Sequence, residues 1–269
     1  MEHFAEIAVL AVVQGVTEFL PVSSSGHLVV CKNILGLSTP GAGLEIALHL
    51  GTLVSILAYY GRTVCSILAG LFRMEKGAWS FALAMAVSAV PAVALYFSLK
   101  YFCGVDLEEF FSGGGMVAAT GVFLVLTGLL LVLTRFVKSG SRDCGAPEAF
   151  AMGCAQAAAL LPGVSRSGAT LFAARLCKVE PGKAAAFSFL MSAPLIAGAA
   201  AMKMSGAGEP AGAGGAVSCG GAEMAAGAAI AAVTGYFALA FLVKSLKSGG
   251  FWLFGLYCIA AGCAIALFA

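Results

Sequence analysis

The chain has 269 residues, 61% of them hydrophobic and 10% charged, against about 25% charged in an ordinary soluble domain. With a mean hydropathy of +0.99, this excludes a soluble globule and points to an all-α polytopic membrane protein in a single integral membrane domain. A formal net charge of +2 is too small to argue for nucleic acid as a partner or for a strongly basic membrane-binding patch.

Read in chain order, the first apolar region, 4–36, is broken midway by polar and Pro-containing sequence, the pattern of a re-entrant hairpin. Residues 1–20 lack a basic n-region and a small-residue cleavage site, so they do not read as a cleaved signal peptide. Spans of about 20 apolar residues follow at 43–60, 80–99 and 114–134; a second broken region covers 148–177; further spans lie at 184–203, 222–243 and 250–268. Six spans and two re-entrant hairpins result. Pro91 and Pro194 inside spans read as kinks, and the Gly-rich stretch 113–128 as close helix packing. Nine cysteines, with no CxxC pair or metal spacing, read as small buried hydrophobes.

Loop charge orients the layout, because cytoplasmic loops collect Lys and Arg. The 61–79 loop carries Arg62, Arg73 and Lys76 against Glu75, whereas 100–113 carries Lys100 against Asp106, Glu108 and Glu109. The basic loops 135–147, 178–183 and 244–249 also read as inside, and the Gly/Ala-rich stretch 204–222 as a flexible outside loop. The first hairpin then enters from the outer face and the second from the cytoplasm. The halves, about 1–136 and 147–269, have opposite topology. "LPVSSSG" at 20–26 is repeated as "LPGVSRSG" at 161–168, each preceded by a glutamine, Gln14 or Gln156. An inverted repeat brings both breaks together near the midplane, where non-helical backbone is tolerated only if it lines a cavity or is buried in protein.

The residue types at those breaks suit an anion. Arg166 is a permanently charged fork matched to phosphate, and Ser165, Ser167 and Thr170 add hydroxyls beside backbone freed by Gly163 and Gly168. An arginine at bilayer depth is costly and is usually retained for a partner. In the first hairpin, Glu18 and His27 flank Ser23, Ser24 and Ser25, a hydroxyl nucleophile with a carboxylate and an imidazole in short reach. Gln14 and Glu18, four apart, share a helix face. Glu18 could hold a divalent cation, activate a hydroxyl or water, or simply neutralise Arg166. Glu45 and His49, on one face of the 43–60 helix, are candidates to stand behind the same site, although a structural histidine explains His49 equally well.

"SGH" at 25–27 and "SR" at 165–166 resemble fragments of the type-2 phosphatidic acid phosphatase signature. That signature needs a later histidine with a downstream aspartate, and no histidine follows Arg166.

At full motif length, "QGVTEFLPVSSSGH" and "PGVSRSGAT" resemble the (E/Q)xxxE motif with its serine-rich turn and the PGxSRSxxT motif of the undecaprenyl-diphosphate phosphatases of the bacitracin-resistance type. The resemblance implies a multi-pass enzyme of the bacterial cytoplasmic membrane that removes the terminal phosphate of the C55 isoprenoid diphosphate on the outer side. The product is the lipid carrier of cell-wall precursors, so peptidoglycan synthesis and tolerance of bacitracin are implied with it. By the same resemblance, Glu18 is the essential acid and the metal-binding carboxylate, Ser24 the nucleophile, His27 a base or alternative nucleophile, and Arg166 the diphosphate-binding residue. Gln14, Ser23, Ser25, Ser165, Ser167 and Thr170 line the headgroup. Mg²⁺ or Ca²⁺ is implied as cofactor, and the polyprenyl diphosphate as partner. Gln14, where relatives also use Glu, removes one potential ligand or base. Homodimerisation stays open, as does a different class of function: a lipid-phosphate flippase or anion transporter holding the same headgroup without cleaving it.

Overall fold

A computed structural model describes residues 4–34, 42–101, 116–204 and 220–268. Among these the chain is all helical, with no strand. The first expected hairpin is α1 (Phe4–Phe19) and α2 (Ser24–Ile34). Pro21 stops α1, since it has no N–H to continue the ladder and disfavours helix in the residue before it. The chain continues through α3 (Ala42–Tyr59), α4 (Gly61–Phe72), α5 (Lys76–Tyr101) and α6 (Met116–Leu133). The second hairpin is α7 (Ala146–Ala158) and α8 (Arg166–Leu176), followed by α9 (Pro181–Met204), α10 (Gly221–Ser248) and α11 (Leu253–Phe268). Left-handed Gly249 (φ 80°) ends α10.

Four described helices are long and apolar enough to cross a membrane: the segments 76–101, 117–136, 221–248 and 250–267. A fifth arises if α3 and α4, bent by 75° at Tyr60, count as one span. The chain is therefore a multi-pass membrane protein with four to five such candidates. The expected span 184–203 falls within α9, which is not among them. Pro91 and Pro194 sit inside the continuous helices α5 and α9. The expected outside loops 100–113 and 204–222 lie mainly outside the described residues.

Two sequence expectations are corrected. Among the described cysteines Cys258 is buried, but Cys65, Cys154 and Cys263 are exposed. The basic 61–79 segment is mostly helix rather than loop: α4 fills Gly61–Phe72 and α5 begins at Lys76. Val64, Ile67 and Leu71 recur at helical spacing and are half-buried, while Arg62, Arg73 and Lys76 sit at the flanks.

Helix packing fixes the hairpins from outside. α1 lies against α10, and α7 against α5. α6 packs along α11 closely enough that a Cβ on Gly128 would stand 2.7 Å from the Gly255 carbonyl. Small residues permit this approach, which drives association in lipid where burial of apolar surface from water does not. Phe19, Phe187, Phe189, Leu190 and Met191 belong to the main buried cluster, with Phe19 edge-on to Phe189 at 5.5 Å. Exposed Phe72, Phe237 and Phe241 face outward, as lipid-facing side chains do.

Candidate active site

The two hairpins meet tip to tip. Ser24 is the first residue of α2 and Arg166 the first of α8, so two helix N-termini, with their unpaired N–H groups, converge where the motifs meet. Each break needs one left-handed residue. In the first hairpin it is Ser23 itself (φ 67°), a conformation unusual for serine; in the second it is Gly163 (φ 95°), where a Cβ would lie 2.4 Å from the Thr120 carbonyl.

Glu18 is the hub. Arg166 Nη2 donates to its Oε1 at 2.5 Å, Ser24 Oγ donates to Oε2 at 2.7 Å, and Gln14 Nε2 donates to Oε2 at 3.1 Å. The ion pair is largely buried, with Glu18 at 7% and Arg166 at 21% side-chain exposure. Removing one member of such a pair leaves an uncompensated charge, a cost of roughly 3–5 kcal/mol. The expected neutralisation of Glu18 by Arg166 is thus present. It occupies one donor of a guanidinium that has five.

A cavity of about 410 Å³ opens at this junction. Its lining includes Glu18, Ser23, Ser24 and Ser25 from the first hairpin and Ser165 and Arg166 from the second. α3 adds Glu45 and His49, and α9 adds Leu195, Ile196 and Ala200. The cavity thus joins hydroxyls and Arg166 at the helix N-termini with an apolar wall on α9, a mix that suits an amphiphile with an anionic head.

Four expected site residues sit behind the cavity wall. Gln14 is fully buried and holds Glu18. Ser167 donates to the Leu20 carbonyl at 3.2 Å, tying one hairpin to the other. Thr170 donates to the Arg166 carbonyl at 2.8 Å and lies 2.7 Å from the Ser188 hydroxyl. His27 also lies outside the lining: its Nδ1–H donates to the Ser23 carbonyl at 2.9 Å, and its Nε2 is 2.6 Å from Tyr257 Oη. His49, with equal weight on a structural reading in the sequence, lines the cavity.

Sequence reasoning missed three supports. Thr127, one of two threonines in apolar α6, donates to the Gly163 carbonyl at 3.2 Å and accepts from the Ser165 N–H at 3.1 Å. Ser188 braces Thr170, and buried Cys258 donates to the Pro21 carbonyl at 3.3 Å. A hydroxyl inside an otherwise apolar span is the signal that would have marked Thr127, and Thr120 in the same helix shares it.

The fit to a cation can be tested on Glu18. Both of its oxygens already accept hydrogen bonds, and no group of three or more His, Cys, Asp or Glu is gathered among the described residues. Hard divalent cations take six or more oxygen ligands. The residues at this junction do not form a protein-built cation site.

Comparison with known proteins matches residues 7–264 to the model of the bacitracin resistance protein BacA family. A protein of Thermomicrobium roseum is 38% identical over 97% of this chain and 96% of its own length. One of Halothermothrix orenii is 33% identical over 100% and 99%, and one of Desulforudis audaxviator 36% identical over 97% and 96%. All three are named undecaprenyl-diphosphatase.

Proposed function

The chain belongs to the bacitracin resistance protein family, and from that premise we propose how its hairpin junction serves an undecaprenyl-diphosphatase. The protein is a membrane-embedded hydrolase acting on a polyprenyl diphosphate, and it serves the supply of the cell-wall lipid carrier. The observation that carries the residue assignment is the Ser24–Glu18–Arg166 chain of hydrogen bonds, which crosses from one hairpin to the other in the cavity wall.

In this reading the diphosphate lies between the N-termini of α2 and α8, and the isoprenoid runs along Leu195, Ile196 and Ala200. Arg166 keeps one N–H on Glu18 and turns the rest of its fork to phosphate oxygens, stabilising charge that develops on the transferring phosphoryl. Ser24 Oγ attacks the terminal phosphorus while its proton passes to Glu18 Oε2. The bond from phosphorus to the bridging oxygen breaks, and undecaprenyl phosphate leaves with that oxygen's electron pair. Water then hydrolyses the phosphoserine, releasing phosphate and returning the hydroxyl to Ser24. Ser23, Ser25 and Ser165 add hydroxyls at the headgroup; Gln14, Ser167, Thr170 and His27 act by positioning. Any Mg²⁺ or Ca²⁺ would arrive with the diphosphate. All these residues come from one chain, so a homodimer is not needed to complete the site.

The contact pattern supports two inverted repeats: α1 on α10 is mirrored by α7 on α5, while α3–α9 and α6–α11 pair across the halves. With the loop charges, this favours six crossings in the cytoplasmic membrane and a cavity opening outward. The same pattern favours the second reading, a flippase, because inverted repeats with broken helices are a transporter architecture. Ser24→Ala separates the two. The hydrolase is expected to lose most phosphate release, by roughly 10²-fold or more; a flippase would keep moving lipid and depend on Arg166 alone.

A further inference from the structure

The charges in the cavity wall are already spent. Its ionisable side chains are Glu18, Glu45, His49 and Arg166. Arg166 is paired with Glu18, and Glu45 with Lys32 of α2. The formal charges of these pairs cancel, so a diphosphate entering a cavity with low-dielectric walls meets little net positive charge. His49 is the lining group that can add one.

Its geometry suits that task. His49 Nδ1 lies 2.8 Å from the Glu45 carbonyl, which can only accept, so Nδ1 carries a proton in either charge state. Nε2 makes no hydrogen bond among the described residues and is the nitrogen available to the cavity. In His27 both nitrogens are engaged, by Ser23 and Tyr257, and the ring is not part of the lining. We propose that His49 is a further substrate-binding residue: its imidazole takes up a proton as the diphosphate enters and donates Nε2–H to an oxygen of the terminal phosphate. The inference rests on the reading of the cavity as the diphosphate site.

The groups facing His49 are Glu45 on its own helix, Glu18 from α1, Arg166 from α8 and, through Glu45, Lys32 from α2. α9 presents Leu195, Ile196 and Ala200, and α10 meets α3 through the backbone of Ala228 and Ala232. An adjacent phosphate dianion favours the charged form of an imidazole, so binding is expected to weaken as the pH rises from about 6 to 8.

The test is calorimetric binding of a non-hydrolysable farnesyl methylene-diphosphonate to the detergent-purified full chain, in buffers of different ionisation heat between about pH 6 and 8. Wild type is expected to take up a fraction of a proton approaching one on binding. His49→Gln is expected to lose that uptake and bind about tenfold more weakly near pH 6.5. His49→Lys, with a fixed charge, is expected to bind tightly with no uptake from this position, and His27→Gln to keep the wild-type uptake. Ionisation of the diphosphonate itself is common to all four proteins. Wild-type affinity and uptake in His49→Gln, or loss of uptake in His27→Gln instead, would overturn the inference. Phosphate release from farnesyl diphosphate by the same preparations tests the phosphatase reading separately.

Discussion

The two hairpins carry related sequences, yet they are built for different tasks. In the proposed mechanism the first supplies the reactive groups, Glu18 at the end of α1 and Ser24 at the start of α2, across a turn of four residues (20–23) whose left-handed position is a serine. The second supplies Arg166 from a turn of seven (159–165) braced on every side. Ser165 caps α8 by accepting from the Gly168 N–H at 3.2 Å, Thr127 holds both Gly163 and Ser165, and Thr170 is locked to Ser188. In the last turn of α8 Arg175 donates to the Val137 carbonyl, and past its end Arg142 bridges to Val179 and Lys183 pairs with Asp143. The comparison teaches a division of labour: a braced hairpin fixes the Arg166 guanidinium, and a strained one holds Ser24, the proposed nucleophile, near it through Glu18.

That division can be broken at graded points. The largest effect on turnover is expected for Glu18→Gln, which removes both the proton acceptor for Ser24 and the charge facing Arg166; phosphate release should fall by about 10²–10⁴-fold. Gly163→Ala comes next, because the left-handed backbone and the Thr120 carbonyl both oppose a Cβ. A cost of about 1–3 kcal/mol should appear as a lower thermal unfolding midpoint in detergent. Thr127→Val removes two hydrogen bonds and should cost about 1–3 kcal/mol, with turnover falling less than in Glu18→Gln. Ser23→Gly sharpens the contrast, since glycine accepts the left-handed conformation without strain: stability within about 1 kcal/mol of wild type is expected, the opposite of Gly163→Ala.

The smallest effect concerns Glu180, at the turn before α9. Burial pushes its carboxyl up, but the N–H groups of Gly182 and Lys183, with Lys247 and Lys183 nearby, hold it below its ordinary value. A carboxylate with a lowered folded pKa contributes stability above its unfolded pKa and loses it as the pH falls through the folded one. Unfolding midpoints of wild type and Glu180→Gln should therefore differ at neutral pH and converge in acid.

Much of this was legible in the sequence. Polar, Pro-containing breaks inside apolar runs located both hairpins, and glycines marked 113–128 as a close-packing stretch without naming its partner helix. What stayed hidden was three-dimensional. The charges of Arg62, Arg73 and Lys76 masked the helical spacing of Val64, Ile67 and Leu71, so α4 read as loop. Gln14 and Gln156 are not in the same place: Gln14 stands five residues before the end of α1 and Gln156 two before the end of α7, because the second turn is three residues longer. The amide of Gln156 is buried and finds no partner among the described residues. Nor could sequence spacing show which way a histidine turns. His27 sits in the motif yet points to Tyr257, while His49, from a separate helix, reaches the cavity.

The most direct test of the hairpin junction as a single catalytic site is phosphate release from an isoprenoid diphosphate by the detergent-purified protein, with and without chelator, for wild type, Glu18→Ala and Arg166→Ala. Release by wild type and loss of nearly all of it in both variants, each still folded and membrane-inserted, is the expected result. Near-wild-type release by either variant would contradict it.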